Sequence, residues 1–143
     1  MLHIHSDRLQ TIRMYSIDHP KLFSWNDEIG LISVSSIGVG SLRLLPRGAD
    51  DFLFIADLVP PPTISGFVHA SYGNFSLAYS CSLANERTGV CVLRIPMQRA
   101  AVIFETNTRI IDIAFSAHDH LWWIEVVRAV FGSYALLTYS LES

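Results

Sequence analysis

Three side chains in the last quarter of the chain have the types and spacing of a metal chelate. They lie in the run His118-Asp-His120, followed after four residues by Glu125 and after six more by Gly132. Alternate positions on a strand point to one side, so a His-x-His pair on a strand presents two imidazoles to one ion. Imidazole together with carboxylate suits a divalent first-row metal. Gly66-Phe-Val-His69, with Asn74 nearby, offers a further imidazole upstream. A polar turn between two strands accounts for His118-Asp-His120 without any ion, and that reading is adopted here. No catalytic, cofactor-binding or metal-ligating residue is assigned. His3 and His5 repeat the spacing at the N-terminus, where an unpacked chain end accounts for them. Gly38-Val-Gly-Ser41 lacks the strand–helix setting of a phosphate loop, and no serine sits in a Gly-x-Ser-x-Gly elbow.

The material available to position such groups is apolar. Of 143 residues, 50% are hydrophobic and 16% charged, against roughly 25% charged in an average soluble domain. The length fits a single domain, and apolar surface left over after a core is filled marks a partner interface. The net charge of -3, with ten Lys and Arg scattered singly, leaves no basic stripe for a phosphate backbone, so nucleic acid is not an expected partner. The most apolar stretch, Leu121 to Leu141, is broken by Glu125 and Arg128, whereas a membrane span needs about 20 nearly uncharged residues. Charge stands where a signal peptide carries its apolar core, and a cytoplasmic protein is expected. Cys81 and Cys91 then fall on two arms of one hairpin around Asn85-Glu-Arg-Thr-Gly89. A cross-strand disulfide is conceivable there, but two buried thiols are expected.

Short runs rich in β-branched and aromatic residues, separated by turn residues, predict an all-β domain. The expected strands are Leu9 to Ser16, Gly30 to Ser36, Leu42 to Leu45, Asp51 to Asp57, Ile64 to Ala70, Phe75 to Ser82, Val90 to Ile95 and Ala100 to Glu105. Pro60-Pro-Pro62 separates the fourth from the fifth. Leu121 to Gly132 has polar positions 125, 128 and 132 at helical spacing, but its Trp, Ile, Val and Phe content favours a strand. The adjacent Trp122 and Trp123 then face opposite sides, one to the core and the other free to anchor an interface or pack within the sheet.

The chain also resembles itself at an offset of about 46 residues. Thr63 to Phe75 aligns without a gap on Arg109 to Leu121, and Val90-Cys-Val-Leu93 on Leu136-Leu-Thr-Tyr139. Pro46 and Pro96 follow similar apolar runs, which extends the pattern back toward the N-terminus with an offset near 50. Three units are expected, 9–58, 63–105 and 109–143.

Four short strands per period resemble a β-propeller blade. Arg109-Ile-Ile-Asp-Ile-Ala-Phe-Ser-Ala-His-Asp-His-Leu-Trp-Trp looks like the opening hairpin of a WD40-type blade, and Thr63 to Ser82 has the same shape. The family's Gly-His pair and Trp-Asp dipeptide are missing, so none of its signature residues is carried over. The resemblance implies successive four-stranded antiparallel units, a partial propeller that binds other proteins or itself. It implies a non-catalytic interaction or scaffold role without a cofactor. The His118, His120, Glu125 and Gly132 run is similar to the first motif of the cupins, which implies the alternative, a small metal-binding β-barrel. A compact β-rich inhibitor or immunity-type protein is a third expectation.

Overall fold

The computed structural model describes residues 9–15, 17–64, 66, 68–70, 76–94, 99–116, 120–128 and 132–141. The protein is all-β, built from successive antiparallel sheets in a partial, propeller-like stack. Sheet 1 runs in chain order through β1 (Lys21–Trp25), β2 (Glu28–Val34), β3 (Gly40–Leu45) and β4 (Leu53–Leu58). Sheet 2 repeats this meander with β5 (Val68–Ala70), β6 (Ser76–Ser82), β7 (Thr88–Arg94) and β8 (Ala101–Thr106). Sheet 3 has β9 (Ile110–Phe115), β10 (His120–Arg128) and β11 (Ser133–Ser140). The segment with helical polar spacing is thus strand β10 as far as Arg128. Its Trp and β-branched residues pack on a pleated surface better than against a helical turn.

Turn chemistry explains where the strands break. Asn26 and Asp27 both adopt positive φ, 47° and 65°, the geometry of the tight two-residue hairpin that Asn and Asp tolerate. That turn joins β1 to β2, a hairpin the apolar pattern alone does not reveal. Leu9 to Ser16, expected as the first strand, has no regular structure over its described residues 9–15, and the first sheet begins only after Pro20. Across the β1–β2 pair, the Phe23 ring lies over Gly30, so any side chain at position 30 would collide with it.

Sheet 2 is covered on both faces, which is why its central strands read as nearly continuous apolar runs. One face of the β6–β7 pair, with Leu77, Tyr79, Cys81, Cys91 and Leu93, packs with Phe23, Trp25, Ile32, Leu42 and Leu58 of sheet 1. The alternate residues Ala78, Val90 and Val92 pack with Ile110, Ile113, Leu121 and Trp123 of sheet 3. The innermost strands are neighbours, β1 beside β5 and β5 beside β9. Between sheets 1 and 2 the linker lies along β6, with Thr63 N–H donating to the Ser80 carbonyl and Ser82 N–H to that of Pro61, both at 2.9 Å. The Tyr79 hydroxyl donates to the Pro60 carbonyl at 2.6 Å, and burial pushes its pKa well up.

The cysteines are not free thiols. Cys81 pairs opposite Gly89 and Cys91 opposite Tyr79, which makes them diagonal neighbours on the face toward sheet 1. Their Cα atoms are 6.1 Å apart and the sulfurs form a disulfide, which corrects the expectation of two thiols. The spacing lies inside the range a disulfide spans without moving the backbone.

Candidate functional site

The His–Glu set is separated by the strand that carries it. His120 pairs with Ser140 and Glu125 with Ala135 on β10. They stand five residues apart on one strand and therefore on opposite faces. Glu125 is half-buried on the side of sheet 2, where it accepts the Thr108 hydroxyl at 3.3 Å, while His120 is exposed. His118 and Asn74 lie outside the described residues, as do His3 and His5. Among the described residues no group of three His, Cys, Asp or Glu side chains comes close enough to hold one ion.

His69 has a different task. Its Nδ1 accepts the backbone N–H of Phe115 at 3.2 Å, and the two rings lie 5.9 Å apart. This ties β5 of sheet 2 to β9 of sheet 3. Burial lowers the pKa of His69 below its ordinary value, with the nearby charge of Asp112 opposing the shift. A neutral imidazole is what the acceptor role requires.

Gly38 turns with φ of 83° between β2 and β3, with nothing above it, so the Gly38–Ser41 run is the end of a hairpin turn followed by the first two residues of β3. Ser41 is then held by Ser33 Oγ at 2.7 Å and by an Arg43 guanidinium N–H at the same distance. Arg43 also lies 5.9 Å from the centroid of Phe54. These residues stand on the face of sheet 1 turned away from sheet 2, Arg43 and Phe54 in the cross-strand row Leu22–Leu31–Arg43–Phe54 and the two serines in the row Ser33–Ser41–Asp57 beside it. Leu22 and Phe54 are exposed, whereas Leu31 between them and Ser33 on the same face are buried.

The opposite end of the stack carries the other open face. On β10, Trp123 points inward, packed 5.3 Å from the Phe104 ring. Trp122 points outward and donates its indole N–H to Ser116 Oγ at 3.0 Å. The outward rows are Ala114–Trp122–Thr138 and Asp112–Ile124–Leu136. Ala114, Trp122, Asp112, Ile124 and Leu136 of these rows line a shallow groove of about 120 Å³. Leu136 is 65% and Tyr134 60% exposed, too much for side chains whose only task is to fill a core. Sequence reading leaves one of the two tryptophans free to anchor an interface or to pack within the sheet, and it does not single out Leu136 or Arg43. In Tyr134-Ala-Leu-Leu137, four apolar residues in succession leave the outward face unmarked. A cleft of about 230 Å³ also opens between β8 and β11, with Ala101, Ile103, Tyr139, Arg94 and Arg99 among its walls.

No family model matches the chain, and comparison with curated proteins and with solved structures finds no similar protein. Among the described residues no helix is long and apolar enough to cross a membrane.

Proposed function

We propose that this chain is a non-catalytic protein-interaction or scaffold module of propeller type, resembling about three blades of a WD40-type ring. The observation that carries the reading is the outer face of sheet 3. Trp122, Ile124 and Leu136 form an apolar surface around the carboxylate of Asp112 on a three-stranded sheet. A contiguous apolar patch on a sheet, with an indole at its centre, is the form of a protein contact.

The placement of the strands supports the repeat behind this reading. β2, β3 and β4 start at Glu28, Gly40 and Leu53, and β6, β7 and β8 at Ser76, Thr88 and Ala101, a constant offset of 48. β6 and β7 end at Ser82 and Arg94, and β10 and β11 at Arg128 and Ser140, an offset of 46. Successive meanders whose innermost strands lie side by side are how blades follow one another around an axis. The bonded cysteines count against a cytoplasmic location, because such pairs persist where thiols are not kept reduced.

The test uses the full chain and its Trp122→Lys variant, each immobilised and exposed to extract from the source cells. The expected result is a protein retained by the first and lost at least tenfold from the second. Identical retained proteins on both would overturn the reading, and so would none on either from a chain that is a monomer in solution.

A further inference from the structure

Sheet 3 is one strand short of its two neighbours among the described residues, and β11 forms its free edge there. β11 runs for eight residues, Ser133 to Ser140, without a charge, a proline or a glycine. Edge strands in proteins are blunted by such residues, by bulges or by a cover, because an open apolar edge recruits another strand. The outer strands of the other two sheets do carry a charge, Asp57 on β4 and Glu105 on β8. Beside β11, the cleft against β8 marks the space that a fourth strand would border.

The path of the chain says what that strand is. The outermost strand of each sheet leads into the innermost strand of the next, β4 into β5 and β8 into β9. By the same rule, what precedes β1 is the outermost strand of a sheet stacked in front of sheet 1. Residues 9–15, Leu-Gln-Thr-Ile-Arg-Met-Tyr, stand there in sequence, and residues 16–20 connect them to β1. They have strand-forming composition, yet they are without regular structure, and Leu9 is 96% exposed. The strand without a sheet and the sheet without a strand lie at opposite ends of the stack, with all of sheet 2 between them.

We infer that the partner of this module is a second copy of the same chain, joined head to tail. Sheet 1 of one copy stacks on the outer face of sheet 3 of the other, and residues 9–15 of the first pair along β11 of the second. The two end faces are complementary in charge. Arg43 stands in the row Leu22–Leu31–Arg43–Phe54, and its guanidinium meets only hydroxyls and a ring among the contacts it makes. Asp112 stands in the row with Ile124 and Leu136. Asp57 shares the face of Arg43 but sits on the outermost strand. A heterologous contact made twice about a twofold axis closes a ring, and six sheets fall within the range of about four to eight at which radial stacks of sheets close. This assignment rests on the interaction-module reading and names its partner.

Light scattering behind size exclusion, across the micromolar range, tests it on the full chain. The expected mass is twice 16.0 kDa. Leu136→Lys and, separately, Met14→Lys are expected to halve it while the far-ultraviolet β spectrum is kept. Met14 lies outside the sheets and is exposed, so its variant decides the matter even where Leu136→Lys fails to fold. A wild-type mass of one chain at every concentration overturns the second copy. It leaves the interaction-module reading to its own test, a foreign protein retained through Trp122. A double mass indifferent to both substitutions overturns the assignment too, and so does growth into open filaments, because the contact then does not close.

Discussion

Cys81 and Cys91 show how much a single pair of side chains carries when both are fully buried. The disulfide closes a loop of 10 residues in sequence separation, a short loop, for which loop-closure entropy gives about 2–3 kcal/mol. Both sulfurs lie in the cluster between sheets 1 and 2, beside Tyr79 and Leu93, so solvent reductant reaches them only after that interface opens. Cys81→Ala with Cys91→Ala is therefore expected to lower the free energy of unfolding by about 2–3 kcal/mol. In the native protein, reductant alone is expected to act slowly, at the rate of opening. Denaturant titrations of both chains, with and without reductant, check this. Equal stability in all four would mean that the cysteines are not bonded in solution. Tyr79 has a comparable double role, filling the same cluster while its hydroxyl fixes the linker through Pro60.

At the scale of elements, the contact between β5 and β9 holds sheets 2 and 3 together at their inner edge, and it contains a titratable group. His69 accepts the Phe115 N–H only when neutral, and burial lowers its pKa in the folded chain below the ordinary 6.5. As the pH falls, the unfolded chain binds this proton first. The stabilisation is therefore complete above about 6.5, is lost as the pH falls from there through the depressed folded value, and is constant below it. Because His69 stays open to solvent on one side, the loss is a partial one. His69→Gln keeps an acceptor without the titration. The wild-type denaturation midpoint is expected to drop across the histidine range more steeply than that of the variant. Parallel curves would remove His69 from the account.

For the whole molecule, three sheets in a row have two interfaces between sheets and two end faces on which no further sheet is stacked among the described residues. A stack that gains stability from each neighbour loses it where the neighbour is missing, and the proposed association would supply that neighbour by mass action. A ring of two copies makes thermal stability depend on concentration, since only the folded chain presents matched end faces. The melting temperature is expected to rise by a few degrees over a hundredfold increase in protein. For Met14→Lys it is expected to stay flat. A wild-type melting temperature independent of concentration would mean that the ends are stable uncovered.

The amino-acid sequence by itself determined the class of the fold, because period-two apolar runs punctuated by Gly, Pro, Asn and Asp leave little choice but short antiparallel strands. It marked most strands to within a few residues, among them Leu42 to Leu45 in β3 and Phe75 to Ser82 around β6. It also placed Trp122 and Trp123 on opposite faces, since that follows from any strand. The tertiary structure decided what depends on which sheet covers which face. Leu9 to Ser16 reads as a strand, but pairing needs a neighbour, and within one chain the described residues 9–15 have none. Lys21–Trp25 became β1 through the paired positive φ of Asn26 and Asp27, a backbone choice that composition permits without requiring it. The cysteines needed a diagonal register to bond, and a shift of one residue would have turned one sulfur to the other face. His120 and Glu125 parted for the same reason. Spacing along the chain brings residues near in sequence, and only the pleat and the stacking order decide which of them meet.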